Sequence, residues 1–402
     1  MRRPETGFLP RLEGTARRIL VVLKGGLPEA ILAGGLLEGL RLRHPRAQIV
    51  ALAPARHALT IQRHPALSGV LTLPELLELK LGLQAWTDPA VRQVLESIRA
   101  WDFDLAIAPS PWRDALVDLA VLASGAAIRV GWQTLSPRGE HEVDGQGWDA
   151  FYTHLLRLEH APYAETDRYR HVATSLGLDP GADRLAWPRD EAEVRTIAIH
   201  LAKAGRDVAW VGLWCGPGDA TGFRKWREAL RLRLFEQGMG LMLLGYAGLR
   251  FSMEESEAWS GLPVLDMRGC RLAGEMLEAV AHCRAVLGVE GPWVHLCAAR
   301  SVPHVVLAGG EAFGRHAPLS PLATAVCHPM ACYFCGGHCD QGGRVCLRRI
   351  PPEAVSEALR RALERSGDRP RLLVCPNSDE DALDLDTLLA EDAFERLAWP
   401  PA

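Results

Sequence analysis

Three turns that follow apolar, strand-like runs carry the residue types best suited to binding or transforming a ligand. In the first turn, KGGLPE, Gly25 and Gly26 permit a tight bend and a close approach of the backbone to a bound group. Glu29 follows in the first turn of the next helix, where its charge suits the positive end of the helix dipole. Glu29 is therefore a candidate functional carboxylate, and the alternative is a residue that only caps its helix.

The second turn, within LWCGPGDATGFRKWREAL, is rich in glycine and ends in two cations at a helix start, Arg224 and Lys225. Backbone N–H groups of such a turn, a helix N-terminus and two cations together favour an anion, above all a phosphate or diphosphate. An ordinary loop with solvated cations explains the same residues equally well. The spacing matches neither a Walker motif nor a G-x-G-x-x-G fingerprint.

The third turn, in AVLGVEGPWVHLCAA, places Glu290 at a strand end, Gly291 at the opening of a helix and His295 five residues after the acid. The first N–H groups of a helix have no partner within the helix, so they are available to a ligand. We expect Glu290 and His295 to face that ligand together. A buried structural histidine is the alternative at this position, and spacing alone does not distinguish the two.

A cysteine cluster lies near the C-terminus, in CHPMACYFCGGHCDQGGRVC, with Cys327 and His338 also within reach. Two close cysteine pairs separated by a glycine-rich turn suit tetrahedral thiolate coordination of zinc, and an all-sulfur site also suits iron. The alternative is a set of reduced thiols. The candidate metal ligands are Cys332, Cys335, Cys339 and Cys346.

The composition is that of an ordinary globular protein. At 402 residues, of which 48% are hydrophobic, the chain is long enough for two domains with sizeable cores. A net charge of −4 gives no global field to hold a polyanion, so nucleic acid is not expected as a partner. No signal peptide and no apolar run of membrane-spanning length are evident, and we expect a cytoplasmic protein with no transmembrane segment.

Strand-like runs alternating with helical patterns predict a doubly wound α/β architecture. The segment 179–193 has two prolines and little periodicity, which is typical of a linker between domains. The Tyr-, His- and Arg-rich segment 151–178 is expected to be helical. Predicted strands of the first half are 18–23, 48–54, 70–74, 103–111 and 127–132, and those of the second half are 207–214, 240–246, 285–289 and 303–309.

Two Rossmann-like halves joined by a linker would enclose a cleft, and ligands of such sheets bind outside the carboxyl ends of the strands. The acidic C-terminal segment contains interleaved Leu, Phe and Trp and is expected to be either a flexible tail or an amphipathic segment that docks on the body or a partner. The predicted organisation is an extension (1–17), a first Rossmann-like domain (18–180), a linker (181–192), a second Rossmann-like domain (193–366) that includes the cysteine cluster (327–346), and the acidic tail (367–402).

The order of these features resembles glycosyltransferase family 9, the heptosyltransferases of lipopolysaccharide core assembly and their relatives. The opening run RILVVLKGGLPEAILAGGLLEGLRLRHP matches the family's first strand, turn and helix without a gap. Further segments of this chain resemble later landmarks of the family: RDAL, RVGW, DRYRHVATSLGL, the turn before RKW, VLDMRGCRLAGEMLEAVAHC, EGPWVHLCAA and VPHVVLAGG. The match therefore spans roughly 18–363.

The resemblance implies a GT-B fold with an acceptor domain, a nucleotide-sugar domain and inverting transfer without a catalytic metal. The donor it implies is ADP-heptose, and the acceptor is a hydroxyl of a lipid-linked, lipopolysaccharide-core-type saccharide or of a protein. A bacterial cytoplasmic location, with peripheral association at the inner membrane or oligomerisation left open, also follows from it. It implies that Glu29 is the catalytic base and that substrate is bound by Gly25, Gly26, Arg113, Arg224 or Lys225, Glu290, Gly291 and His295. Any zinc or iron at the cysteine cluster would then be structural.

The chain departs from the family pattern at the same turns. Glu29 stands where the family has Asp, Pro28 replaces Gly, and Gly291 with Pro292 replaces a Thr-Gly or Ser-Gly pair. The acidic residue expected soon after GYAGLR is not evident. Both acidic substitutions keep the charge, which favours a changed pocket over lost activity. Two alternatives stay open: a catalytically inactive binding protein on the same scaffold, and a metal- or redox-responsive protein that uses the cysteine cluster.

Overall fold

A computed structural model of the chain forms two compact units, Met1–Pro188 and Arg189–Ala402. The residues that it describes are 5–6, 16–74, 88–111, 113–133, 148–157, 164–179, 187–205, 207–215, 224–245, 259–268, 270, 272–311, 313, 320–333, 335, 339, 343–364, 369–375 and 395–398.

The first unit is built on a parallel sheet. Its strands are β1 (Glu5–Thr6), β2 (Arg18–Val22), β3 (Gln48–Pro54), β4 (Gly69–Leu73), β5 (Leu105–Ile107), β6 (Ile128–Trp132) and β7 (His154–Leu156). They are arranged in the order β1-β7-β6-β5-β2-β3-β4, and every pairing is parallel. Ile19, Leu20 and Val21 are wholly buried because helices cover both faces of a parallel sheet.

The helices of the first unit are α1 (Leu27–Leu32), α2 (Gly34–Arg43), α3 (Ala55–Ile61), α4 (Pro89–Arg99), α5 (Ala115–Ala123) and α6 (Glu165–Ser175). Helix α4 shows how the sequence sets such an element. The Asp88 side chain accepts a hydrogen bond from the Ala90 N–H at 2.9 Å and so caps the helix. Val91, Val94, Leu95 and Ile98 then return to one face at helical spacing, and all are buried.

The second unit has the same construction. Its strands are β8 (Ala209–Cys215), β9 (Met239–Gly245), β10 (Val264–Asp266), β11 (Cys283–Val289), β12 (His304–Ala308), β13 (Ala323–Cys327), β14 (Arg371–Val374) and β15 (Glu395–Ala398). The order is β10-β9-β8-β11-β12-β13-β14-β15, again with parallel pairings throughout. Its helices are α7 (Glu191–Ala204), α8 (Arg224–Glu236), α9 (Ala273–Ala281), α10 (Val294–Ala299), α11 (Val345–Arg348) and α12 (Pro352–Leu363).

Each sheet has a switch point at which the strand order reverses. In the first unit it lies between β2 and β5, and in the second unit it lies between β8 and β11. Ligands of open parallel sheets bind beside such points, at the carboxyl ends of the strands. The turns singled out in the sequence follow β2, β8 and β11, and RDAL follows β5. All four therefore flank a switch point.

Most predicted elements coincide with observed ones, and the differences have local causes. The segment 151–178 was expected to be helical, but it contains the short strand β7 before helix α6. Strand β7 is only three residues long, too short for its periodicity to register. The acidic C-terminal segment supplies β14 and β15, so part of it is integrated in the sheet. Strands β10 and β13 were not predicted.

No helix in the described parts of the chain is both long enough and apolar enough to span a bilayer.

Candidate functional site

The turn after β2 is shaped by a glycine that no other residue could replace without strain. Gly26 has a φ of +76°, and a Cβ atom there would lie 2.8 Å from Cδ2 of His57. Burial lowers the pKa of His57 to about 4, so its ring is neutral. Its Nδ1 accepts a hydrogen bond from the Leu27 N–H at 3.2 Å, where α1 begins. The chain direction into α1 is thereby defined, and with it the position of Glu29.

Both oxygens of the Glu29 carboxylate are engaged, and the side chain is buried. The Gly25 N–H donates to Oε2 at 2.5 Å, and the Tyr169 hydroxyl donates to Oε1 at 2.9 Å. The residue is 6% exposed. Glu29 is therefore more than a helix cap, because its carboxylate joins the turn after β2 to helix α6.

Burial raises the pKa of Glu29 to about 7. Desolvation is the largest cause, and the nearby negative charge of Glu165 adds to it, while the hydrogen bonds from Gly25 and Tyr169 and the charge of Lys24 act in the opposite direction. A carboxyl group with a pKa near neutrality can both take up and release a proton at physiological pH, which is the property required of a general base.

An ion pair connects the turns on the two sides of the first switch point. The Lys24 ammonium, directly before Gly25, pairs with the carboxylate of Asp114. Asp114 also caps α5, because its Oδ1 accepts from the Leu116 and Val117 N–H groups at 3.0 Å. The end of β2 and the start of α5 are thus held together.

Arg113 occupies an internal network. Its guanidinium pairs with Asp118 at 2.8 Å and with Asp149 at 2.9 Å, donates to the Trp132 carbonyl and lies 4.2 Å from the centre of the Tyr152 ring. Its side chain is 4% exposed. Through these contacts the donors of the guanidinium are directed into the protein. Arg113 therefore has a structural place beside the switch point.

In the second unit Arg224 and Lys225, the two cations expected at an anion site, are the first two residues of α8. The Lys225 ammonium donates to the carbonyl oxygen of Arg348 at 2.7 Å, and the next residue, Trp226, donates from its indole to the Ile350 carbonyl at 2.9 Å. Lys225 is exposed. The turn 216–223 and the side chain of Arg224 lie outside the described residues.

The turn after β11 gives Glu290 and His295, which were expected to face a ligand together, different degrees of burial. Glu290 follows the strand directly, and its N–H donates to the Leu307 carbonyl at 3.0 Å. The Trp293 indole then donates to the Val289 carbonyl at 2.7 Å and closes the turn. His295 lies in α10 and is fully buried, whereas Glu290 is half-buried. Glu290 lines an open cavity.

That cavity has a volume of about 300 Å³ and lies within the second unit. It brings together two features that the sequence presented separately, the strand-end turn and the cysteine cluster. A second acid, Glu311, and the guanidinium of Arg344 pair at 3.2 Å on its lining. The remaining lining includes Glu290, Gly291, Pro292, Met330, Cys332, Cys335, Cys339 and Cys346.

The four candidate metal ligands, Cys332, Cys335, Cys339 and Cys346, all lie on the lining of this cavity. No group of three or more His, Cys, Asp or Glu residues in the described part of the chain is arranged to hold an ion. Cys327 is buried in β13, and burial raises the pKa of the Cys346 thiol, which accepts a hydrogen bond from the Gly310 N–H at 3.4 Å. His338 lies outside the described residues.

Several residues of these sites were not found from the sequence. Tyr169 lies within DRYRH and returns to the buried face of α6 with Val172 and Ala173, so its burial could be predicted but its contact with Glu29 could not. The same holds for the pairing of Lys24 with Asp114. The pairing of Glu311 with Arg344 had no signal, because it depends on the tertiary fold of the segment between them, which includes β13.

Comparisons with known proteins agree with the family resemblance. The chain is 23% identical over 336 residues to lipopolysaccharide heptosyltransferase 2 of Escherichia coli strain K12, a match that covers 77% of this chain and 87% of that protein. No family model matches the chain.

Solved structures share the fold. The structure of a glycosyl transferase family 9 protein from Veillonella parvula matches with a TM-score of 0.67 and 18% identity, over 89% of this chain and 99% of that one. The E. coli ADP-heptose lps heptosyltransferase II matches with a TM-score of 0.59 and 20% identity, over 87% and 99%. The chain is thus similar in sequence to a heptosyltransferase and shares the fold of these structures, which confirms the predicted pair of parallel α/β layers.

The Arg113 network predicts a large effect on stability. Arg113→Met keeps much of the side-chain volume but leaves the buried Asp118 carboxylate without its cation, so we expect a loss of roughly 3 to 5 kcal/mol in the free energy of unfolding. Urea denaturation measures it. Arg92→Met, on the exposed face of α4, is the control and should change stability by less than about 0.5 kcal/mol. A loss for Arg113→Met no larger than that of the control would contradict the structural role.

The raised pKa of Glu29 predicts a pH-dependent stability. Because the folded-state pKa lies above the ordinary 4.5, ionisation of Glu29 opposes folding, with no effect at low pH and the full effect above pH 7. Glu29→Gln cannot ionise. The stability of the variant relative to the parent should therefore rise by roughly 3 kcal/mol as pH increases through this window. Urea denaturation from pH 5 to pH 8 checks this, with the exposed Glu96→Gln as a control whose difference stays flat. A flat difference for Glu29→Gln would refute the shift.

Proposed function

We propose that this chain is an inverting glycosyltransferase that moves a heptose from ADP-heptose to a hydroxyl of a lipopolysaccharide-core-type saccharide. The similarity to heptosyltransferase 2 along 77% of the chain supports the donor and the acceptor class. The environment of Glu29 is the observation that carries the reaction type, since a buried carboxylate with a pKa of about 7 at a switch point is suited to proton transfer.

In the proposed reaction Glu29 is the general base. The acceptor O–H gives its proton to the Glu29 carboxylate while the acceptor oxygen forms a bond to the anomeric carbon. On the opposite side of that carbon the bond to the diphosphate oxygen breaks, and ADP leaves with the electron pair. Attack opposite the leaving group inverts the anomeric configuration. The hydrogen bonds from Gly25 and Tyr169 orient the carboxylate, which fixes the direction in which the proton is accepted.

Donor binding is assigned to the second unit. Glu290 and Gly291 line the cavity at the carboxyl end of β11, next to the switch point, and a carboxylate there can accept hydrogen bonds from sugar hydroxyls. We assign Lys225, at the start of α8, to the departing diphosphate, whose developing charge its ammonium would stabilise; for Arg224 the same assignment rests on the family resemblance. His295 is buried behind the turn, so we assign it a positioning role for α10 rather than contact with the donor.

The chemistry proposed here needs no catalytic metal, because cations of the protein take up the negative charge of the leaving group. A protein hydroxyl is the alternative acceptor. A scaffold that binds ADP-heptose without transfer is the alternative to catalysis.

The direct test is release of ADP from ADP-heptose in the presence of a heptose-terminated core saccharide. We expect Glu29→Gln to lower kcat by roughly 100- to 10,000-fold, because the amide cannot accept the proton. Dissociation constants for ADP-heptose measured in parallel should be unchanged. Glu96→Gln is the matched control and should retain full activity. Release by Glu29→Gln at the parental rate would remove Glu29 as the base, and absence of turnover by the parent with saccharide and protein acceptors would favour the binding protein.

A second test uses the hydrogen bond from Tyr169. This bond lowers the pKa of Glu29, so its removal in Tyr169→Phe should move the rising limb of the kcat profile to higher pH. The variant should lose more activity at pH 6.5 than at pH 8.5. Tyr152→Phe, a buried tyrosine that donates to Asp118 at 2.6 Å, removes the same group elsewhere in the unit and should leave the inflection in place. A parental inflection in Tyr169→Phe would contradict the assignment.

A further inference from the structure

Arg344 is a charged residue on the lining of the cavity that the reaction proposed above does not use. It pairs with Glu311 at 3.2 Å, and about half of each of the two side chains is exposed. Among the described residues that line the cavity, those with charged side chains are Glu290, Glu311 and Arg344. Arg344 is therefore the one cation of this set, and it shares the cavity with two carboxylates.

The backbone of Arg344 has an unusual conformation for a residue with a side chain. Its φ of +49° and ψ of +46° lie in the left-handed region, where a Cβ atom is crowded. The Arg344 carbonyl accepts hydrogen bonds from the N–H groups of Leu347 at 3.0 Å and Arg348 at 3.2 Å, at the start of α11. Residues held in this region cluster at ligand-binding sites, where the surrounding structure offsets the strain. This conformation fixes the point on the lining from which the Arg344 side chain extends.

The ion pair of Arg344 with Glu311 can be exchanged for a stronger one. Both side chains are 52% exposed, and ion pairs between hydrated groups contribute little to stability. A phosphate offers a guanidinium two parallel charge-assisted hydrogen bonds, which are stronger. A diphosphate also needs a cation in this cavity, because the charges of Glu290 and Glu311 repel it.

A second cation lies close to α11. The Lys225 ammonium donates to the carbonyl of Arg348, the last residue of this helix, at 2.7 Å. Because α11 has four residues, Arg344 and Arg348 are about 6 Å apart along its axis. An ammonium has three N–H donors, and the bond to the Arg348 carbonyl uses one of them. Lys225, already assigned to the diphosphate, and Arg344 thus lie at the two ends of one short helix.

We propose that Arg344 is a further donor-binding residue, whose guanidinium leaves Glu311 and binds the diphosphate of the nucleotide sugar. Glu311 holds the guanidinium until a donor binds, and it competes with the diphosphate for the same cation. Loss of the Arg344 charge therefore weakens donor binding, whereas loss of the Glu311 charge strengthens it. The inference rests on the proposed function, because it takes the nucleotide sugar to be the ligand of this cavity.

The test measures binding of ADP and of ADP-heptose by calorimetry to the full-length protein as purified. Arg344→Met removes the charge, and we expect both ligands to bind about 10- to 100-fold more weakly, the effect of losing one charged hydrogen-bonding partner. Arg344→Lys keeps the charge without the planar guanidinium and should lie between the parent and Arg344→Met. Glu311→Gln removes the competing charge and should bind both ligands about 2- to 5-fold more tightly.

A matched ion pair controls for the change in net charge. Arg231 and Glu228 of α8 pair at 2.8 Å and do not belong to the described lining of the cavity. Arg231→Met and Glu228→Gln should therefore leave both affinities unchanged. Rising salt should weaken ADP binding by the parent more steeply than ADP binding by Arg344→Met, because the variant lacks one ionic contact with the ligand.

Weaker binding by both Arg344→Met and Glu311→Gln would overturn the inference, because it would show that the ion pair only stabilises the cavity lining. Parental affinity of an Arg344→Met variant that is folded by circular dichroism would also overturn it. If Arg344→Met does not fold, Glu311→Gln decides: tighter binding supports the inference, and unchanged or weaker binding overturns it. These results leave the proposed function intact. Failure of the parent to bind ADP-heptose would instead overturn the proposed donor, and the inference with it.

Discussion

Parallel strand pairing is the constraint on which the rest of the structure depends. Because every strand of a parallel sheet runs in the same direction, the carboxyl ends of all strands lie along one edge of the sheet. At the switch point, where the strand order reverses, a gap opens at that edge. In the first unit the gap is bordered by the turns after β2 and β5, and in the second by those after β8 and β11. Charged residues far apart in the chain become neighbours there, as Lys24 and Asp114 do.

In the first unit, two opposing effects determine the pKa of one carboxylate, that of Glu29. Burial disfavours the charged form of Glu29, while the Gly25 N–H and the Tyr169 hydroxyl favour it. The balance leaves its pKa near neutrality, where an exposed glutamate would be fully ionised. Arg113, a few residues past β5, illustrates the opposite outcome, because the buried carboxylate of Asp118 and the half-buried carboxylate of Asp149 balance its charge and the ion pairs stabilise the fold.

The alternation of strands and helices, and hence the fold, could be predicted from the sequence because buried parallel strands are continuous apolar runs. Strands β7 and β10 were missed because they are short and polar or charged residues interrupt them, whereas the equally short β5 lies in a continuous apolar run, LAIA. The turns that hold Glu29 and Glu290 were also evident, since glycine, proline and an acid at a strand end are local signals. Their partners were not, because Tyr169 is 140 residues from Glu29 and the cysteine cluster joins Glu290 only through tertiary packing. The same limit explains why Glu290 and His295 were paired by spacing although α10 buries the histidine.

The two glycines after β12 link parts of the chain that otherwise look independent. At Gly309 a Cβ atom would lie 3.2 Å from Leu347, and at Gly310 it would meet Tyr333. The segment that carries the cysteines is therefore expected to pack best against a strand end that has glycine at both positions. A chimaera that transfers this segment alone would pack its side chains against a strand end from a different protein, and the two surfaces would not fit. The end of β12 and the residues packed against it, Tyr333 and Leu347, are accordingly one unit for engineering, and the part of the cavity lined by Gly309, Gly310 and Leu347 depends on both.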